Sequence, residues 1–306
     1  MAQSDLSWTG TMDNETGNEK TPFRTVIFAT DFSFYSQNAG LYAAFLAQQF
    51  RAEFLVAHAF CLSQPALEAE YWSELKSRQR VELEEFLSRS AARLSGAGIQ
   101  AKPLLVEGDP HRVINSIAEQ HEGAIVVLGT HGGSAVVRLV LGSLAEGILR
   151  SANCPSLTVG PEVPPMVPRA GHFKRVLYAT ELDPSVTRAG TYALSVAEKF
   201  NSEIDVLHVI DPSQVKHPED LKATQEDFNS ALDAIAPSQT KLLHAPRKFI
   251  EVGDAHKEIL RHIQEFSVDL LVLGIRRTTH VWMESTRSGA FSIVAHAPCP
   301  VLTVVG

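Results

Sequence analysis

Short apolar runs alternate along this chain with segments whose apolar residues recur every three or four positions. Phe23 to Asp31 (FRTVIFATD) reads as a strand that ends in a carboxylate. Ser36 to Phe50 sets Ala39, Ala43, Leu46 and Ala47 on one side, a helical spacing. Phe54 to Ala59 is a second strand, and Ala66 to Leu94 a long, charged amphipathic helix. A third strand, Ala101 to Glu107, is followed by a helix from about Pro110 to His121. Ala124 to Leu128 is an apolar run typical of a buried parallel strand, and Pro155 to Val159 is the last strand of the series. Strands alternating with helices predict a parallel sheet covered on both faces.

The pattern occurs twice. Residues 23–59 align without a gap on 173–209, with 13 identities in 37 positions, among them Ala29/Ala179, Thr30/Thr180, Gly40/Gly190, Tyr42/Tyr192 and His58/His208. Gly129 to Val159 aligns on Gly274 to Val304 with 11 identities in 31, now at a shift of 145 rather than 150. Chance gives roughly two or three identities in such a window, so the chain is an internal duplication that has lost five residues in the middle of its second copy, where Pro218 to Ile235 replaces the longer helix of the first. The fold expected is α/β: two tandem open-sheet domains, each a five-stranded parallel sheet with helices on both faces. The expected boundaries are a disordered tail over 1–20, a first domain over 21–160, a linker over 161–171 and a second domain over 172–306. Pro161, Pro164, Pro165 and Pro168 make the linker semi-stiff.

Length and composition suit a soluble protein of two domains: 306 residues, 44% hydrophobic and 20% charged. The net charge of −8 argues against a general nucleic-acid binder. No apolar run is long enough to cross a bilayer, and the polar start, Met1 to Thr21, has no apolar signal core, so a cytoplasmic protein is expected, with the sequon at Asn14 silent. Cys61, Cys154 and Cys299 form neither a disulfide framework nor a metal-ligand spacing, and the repeat-matched pair Cys154/Cys299 reads as buried small hydrophobes. Ser73-x-x-Lys76 sits in the charged helix and is a chance match to a hydrolase motif, and His256 and His262 are too far apart for a helical zinc pair.

The chemistry concentrates after the fourth strand, in Gly129-Thr130-His131-Gly132 followed at fixed distance by Gly142-Ser143. Glycines let a ligand approach the backbone, consecutive N–H groups hold a phosphate, and Gly142-Ser143 opens a helical segment, Leu144 to Ser151, whose N-terminal dipole favours an anion. The loop is neither a Walker A motif nor a dinucleotide fingerprint. In an open parallel sheet a ligand lies outside the carboxyl ends of the strands, where Asp31, Ala59, Gly108 and Gly129 all fall. Asp31 can accept from ribose hydroxyls or a base edge, or can cap the following helix; Ala57 and Ala59 would line an adenine slot. His131, inside the loop, is a candidate phosphate contact, His58 and His208 read as packed histidines, and for His111 and His256 capping or helix packing explains the match as well as chemistry does. In the second copy Arg277 and Arg287 stand where the first has Gly132 and Gly142, and Glu181 where it has Asp31, so that copy is expected not to hold nucleotide in the same way.

Ala-Thr-Asp-x-Ser (Ala29 to Ser33), the strand ending in His58, Gly108-Asp109-Pro110 and Gly-x2-Gly-x9-Gly-Ser together resemble the universal stress protein family, and two copies resemble its tandem members. The resemblance implies an adenine-nucleotide alpha-hydrolase-like sheet and, in the first copy, the family's ATP-binding branch. It implies nucleotide contacts by Ala29, Thr30, Asp31, Ala59, Gly129, His131, Gly132, Gly142, Ser143 and Leu144, with Mg2+ among the phosphate oxygens. It also implies pairing through the last strands, here within one chain, and leaves a homodimer open. The function expected is that of a stress-response sensor or regulator holding ATP in its first half, with no catalytic residue and at most weak hydrolysis. A slow ATP-dependent enzyme and a scaffold without nucleotide are the alternatives.

Overall fold

A computed structural model describes residues 22–61, 69–96, 98–130, 141–151, 153–166, 172–182, 187–215, 217, 224–231, 242–275 and 289–306. The expected tail and the second half's glycine-equivalent loop, with Arg276, Arg277, Arg287 and Ser288, lie outside them, as do His131 and Gly132.

The first half runs β1 (Thr25–Ala29), α1 (Phe34–Phe50), β2 (Glu53–Phe60), α2 (Ala69–Leu94), β3 (Ala101–Glu107), α3 (Pro110–Glu119), β4 (Ala124–Gly129), α4 (Ser143–Ser151) and β5 (Ser156–Val159). The second runs β6 (Arg175–Ala179), α5 (Thr187–Phe200), β7 (Glu203–Ile210), α6 (224–231), β8 (Arg247–Val252), α7 (Ala255–Phe266), β9 (Leu270–Ile275), α8 (Ala290–His296) and β10 (Val301–Val305). Each expected strand and helix of the first half is found within a few residues of its expected limits.

The strands form one sheet in the order β3-β2-β1-β4-β5-β10-β9-β6-β7-β8, parallel within each half. The halves meet in an antiparallel pair, Val301 opposite Thr158 and Thr303 opposite Ser156, where the buried Ser156 and Thr303 hydroxyls lie 2.7 Å apart. Because the seam is antiparallel, the carboxyl-end edges of the two half-sheets face opposite ways.

Both faces of the sheet are filled. On one, α1 and α5 meet in an aromatic cluster that crosses the halves: Phe23 against Tyr192, Phe45 against Phe200, and Phe173 against Tyr42, Phe45 and Phe200. The residues after β5 do not stand off as a spacer. Asn38 of α1 donates to the carbonyls of Val163 and Pro164 and accepts from Met166 N–H, and Val163 and Met166 are buried in the same core. Local backbone signals repeat as the sequence does: Phe32 and Leu182 share a φ of 61°, and Arg51 and Asn201, which end α1 and α5, have φ of 52° and 53°.

One feature of the second half has no counterpart in the first. Asp205 of β7 is fully buried. Arg247 donates from Nε to Oδ1 at 2.7 Å and from Nη2 to Oδ2 at 2.8 Å, and His262 Nε2 lies 3.1 Å from Oδ2. The first copy has Leu55, Lys102 and Ile117 at the matching positions. Burial acts to raise the Asp205 pKa, but the hydrogen bonds from His262 and Arg247 outweigh it and hold the carboxyl below its ordinary value.

Two outcomes follow for equilibrium unfolding in urea. Arg247→Met leaves a buried carboxylate with His262 and the more distant Arg175 alone, and should cost about 3–5 kcal/mol. With the folded pKa depressed, the stability Asp205 contributes is complete above its ordinary value of 3.8 and is lost as pH falls through the folded value, so the gap between wild type and Asp205→Asn should close below pH 3.8.

Candidate functional site

The candidate site is the carboxyl-end edge of the first half, where β2, β1 and β4 lie side by side. Ala29 is level with Ala57 and with Leu128, so the turn after β1 and the loop after β4 leave the sheet next to each other.

Thr30 organises the first turn. It is buried, its N–H donates to Ala57 O, and its Oγ1 accepts from Phe32 N–H and lies 3.2 Å from Ser36 Oγ. Its hydroxyl is thus committed inside the protein. Phe32 enters the left-handed region with its ring against His58, at 4.4 Å between centroids, and Ser33 then caps α1 by accepting from Ser36 N–H. The helix cap is therefore Ser33 and not Asp31, which corrects one of the two roles open to Asp31. Asp31 accepts from Ser33 N–H at 3.0 Å, which fixes its backbone, and its side chain is exposed at the strand end. Ala29 is buried beneath this turn, while Ala59, near the end of β2, is only partly covered.

The loop after β4 is closed at its base. Thr130 N–H donates to Val159 O, and Thr130 O accepts from Gly142 N–H at 2.7 Å. Gly142 O then accepts from Glu146 N–H, so Gly142 is the residue from which α4 starts. The Gly142 amide, expected to face an anion, is instead spent on closing the loop. Among the described residues the first three amides of α4, those of Ser143, Leu144 and Ala145, have no acceptor. Ser143 is exposed, whereas the Leu144 side chain packs into the core between the sheet and α3, which leaves only its amide for a ligand. Gly129 ends β4 opposite Val159, partly exposed.

Among the described residues, the nearby histidines hold backbone or helix contacts. His58 Nδ1 lies 2.7 Å from Thr30 O and His208 Nδ1 2.8 Å from Thr180 O, the same device in both halves. Burial pushes the His58 pKa down, against the Thr30 carbonyl and the Asp31 charge, which act to raise it. His111 lies 3.1 Å from Asp109, the N-cap of α3, and packs on Gly147, where a Cβ would come within 2.8 Å of its ring. In the second half Ser292 takes the place of Gly147, and its hydroxyl lies 3.1 Å from His256 Nε2. Cys299 is buried with its thiol pKa pushed up to about 12, and Cys154 to about 11, so neither is a thiolate at neutral pH. Lys76 pairs with Glu107. Among the described residues no group of three His, Cys, Asp or Glu is arranged to hold a metal ion, and no helix is long and apolar enough to cross a membrane.

The family model for the universal stress protein family matches residues 22–160 and again 172–305. The chain belongs to the universal stress protein family. Two matches in one chain give it the tandem arrangement. A universal stress protein of Methanocaldococcus jannaschii is 28% identical over 144 residues, 46% of this chain and 85% of the relative. One of Thermus aquaticus is 32% identical over 137 residues, 45% of this chain and 98% of the relative. The crystal structure of a universal stress protein from Archaeoglobus fulgidus covers 94% of this chain and 99% of its own, with a TM-score of 0.69 at 23% identity, and shows that both halves share that protein's fold. Within the family frame, Thr30, Ser33 and Gly142 act in this chain through what they hold in place.

His58 gives a direct check on this geometry. By NMR titration it should ionise below its ordinary value of 6.5. A histidine with a depressed folded pKa contributes stability that is complete above 6.5 and declines as pH falls from 6.5 to the folded value. Loss of that slope in His58→Gln confirms it, and a titration at or above 6.5 would contradict the buried placement.

Proposed function

We propose that this protein is an ATP-binding stress-response regulator that works in the cytoplasm and holds nucleotide, with Mg2+ on the phosphate oxygens, in its first half only. The observation that carries the reading is that the amides of Ser143 and Leu144, with that of Ala145, have no acceptor among the described residues, at the start of a nine-residue helix at a strand edge that also exposes Asp31. A helix N-terminus favours negative charge, and a ligand with a polyanionic end and a hydroxylated end matches amides on one side and a carboxylate on the other. The residues fit such a group: Ser143 Oγ and the two amides toward phosphate, Asp31 toward ribose, and Ala59 beside the base. His131, Gly132 and Gly129 belong to the same loop and complete the phosphate side of the proposal. The second half differs in sequence, with Arg277 and Arg287 for two of the loop glycines and Glu181 for Asp31, which is why one nucleotide per chain is proposed.

A regulator is favoured over an enzyme because, among the described residues, the first-half histidines near the edge are engaged elsewhere: His58 with a backbone carbonyl, and His111 with Asp109 and Gly147. Neither is placed as a general base.

Isothermal titration of the full chain with Mg-ATP tests the reading. Asp31→Ala should weaken binding by about tenfold or more, the worth of a hydrogen bond to a charged group. Gly142→Pro, which removes the N–H that closes the loop, should weaken it at least as much. Unchanged affinity in both variants, or two equivalent sites per chain, would contradict the proposal. Sustained turnover above about 1 s⁻¹ would favour the enzyme instead.

A further inference from the structure

The first-half loop is built into the second half at its base. Gly160 lies between Thr130 and the end of α8: a Cβ placed on it would be 3.5 Å from Thr130 Oγ1, 3.7 Å from Ala297 O and 3.9 Å from Ala295 O. Thr130 is the residue whose carbonyl holds Gly142, and it is fully buried. A second route runs along α4. Its first residue is at the candidate site, while near its other end Leu149 is buried in the second half's core beside Phe291, and the Arg150 guanidinium sits 5.2 Å from the centre of the Phe291 ring. Leu141, just before the loop closes, packs against the cores of both halves.

The antiparallel seam explains the geometry. With the half-sheets opposed, α4 and α8 run in opposite senses. The far end of α8 (Ala295, Ala297) reaches the root of the first-half loop, and the far end of α4 (Leu149, Arg150) reaches the start of α8. α8 in turn is tied to α7 by the Ser292 hydroxyl, 3.1 Å from His256 Nε2, and the His296 ring stands 5.7 Å from that of His256. In the first half the matching helices are tied differently: Gly147 stands in the place of Ser292, and Ser151, in the place of His296, accepts from Asn115 Nδ2 of α3 at 2.6 Å.

We infer that occupancy of the first-half site is communicated to α8 and α7 of the second half through these two contacts, so that the half which lacks the glycine cradle serves as the responding surface. The inference rests on the nucleotide reading above. Settling of the first turn of α4 onto an anion shifts a short, stiff helix whose other end is fixed in the second half's core. A well-packed core passes such a shift on to whatever packs against that end. The responding element is the joint His256–Ser292–His296 between α7 and α8.

Hydrogen exchange of the full chain, read by mass spectrometry with and without millimolar Mg-ATP, tests the inference, with binding measured on the same sample by titration. Exchange over residues 255–266 and 290–296 should slow by about threefold or more, while the edge strand Arg247–Val252 stays unchanged. Phe291→Leu keeps an apolar side chain but removes the ring under Arg150; it should bind ATP as tightly as wild type and lose most of the slowing in the second half. Gly160→Leu, whose Cβ would touch Thr130 and the end of α8 and whose longer side chain must be fitted beside them, should lose it as well. ATP binding with unchanged exchange in α7 and α8 would overturn the inference and leave the nucleotide reading intact. So would slowing spread evenly over the second half, which is stabilisation by mass action rather than a directed path. Absence of ATP binding would overturn both.

Discussion

The antiparallel pairing of β5 with β10 is the constraint on which the remainder of the structure depends. Each half alone would end in a buried-type strand, Ser156–Val159 or Val301–Val305, with unpaired backbone groups along one side. Pairing the two removes both edges and sets the Ser156 and Thr303 hydroxyls against each other inside the seam. It fixes which helices meet: α1 with α5 through aromatic rings, and α4 with α8 through Leu149, Arg150 and Phe291. It also fixes where the two carboxyl-end edges lie, on opposite sides of a continuous ten-stranded sheet.

Within that frame the halves have diverged in recognisable physical ways. Elements that hold the strand ends are kept: threonine carbonyls bonded to His58 and His208, and left-handed residues at Phe32 and Leu182. Elements that pack helices on the sheet have changed character. Leu55 and Ile117 of the first half become Asp205 and His262 of the second, with Arg247 making the buried carboxylate tolerable. Gly147 becomes Ser292, and a close van der Waals contact with histidine becomes a hydrogen bond.

Much of this was legible in the sequence because periodicity and repetition are local properties. The alternation of runs such as Ala124 to Leu128 with the Ala39, Ala43, Leu46 and Ala47 stripe defines strands and helices without knowledge of their partners, and the repeat implies two equivalent units. The position of Asp31 at a strand end was legible for the same reason. The division of labour at the site was not. Gly142 and Ser143 read as equal donors, and only the closure by Thr130, across a loop, shows that one amide is spent. Leu144 reads as a helix residue next to the cradle, but which way its side chain faces depends on the sheet beneath it. The Asp205–Arg247–His262 group joins residues 42 and 57 positions apart on three elements, and no spacing rule connects them. The docking of Val163 and Met166 onto α1 was hidden by the prolines around them, which suggest a spacer.

The claim that most needs testing is that one edge of this two-edged sheet, and not the other, accepts a nucleotide. Crystals of the full chain soaked in Mg-ATP give the most direct answer. The account predicts electron density for one nucleotide per chain, its phosphates at the Ser143 and Leu144 amides and its ribose at Asp31. Density at the start of α8 instead, at both edges, or at neither would contradict it.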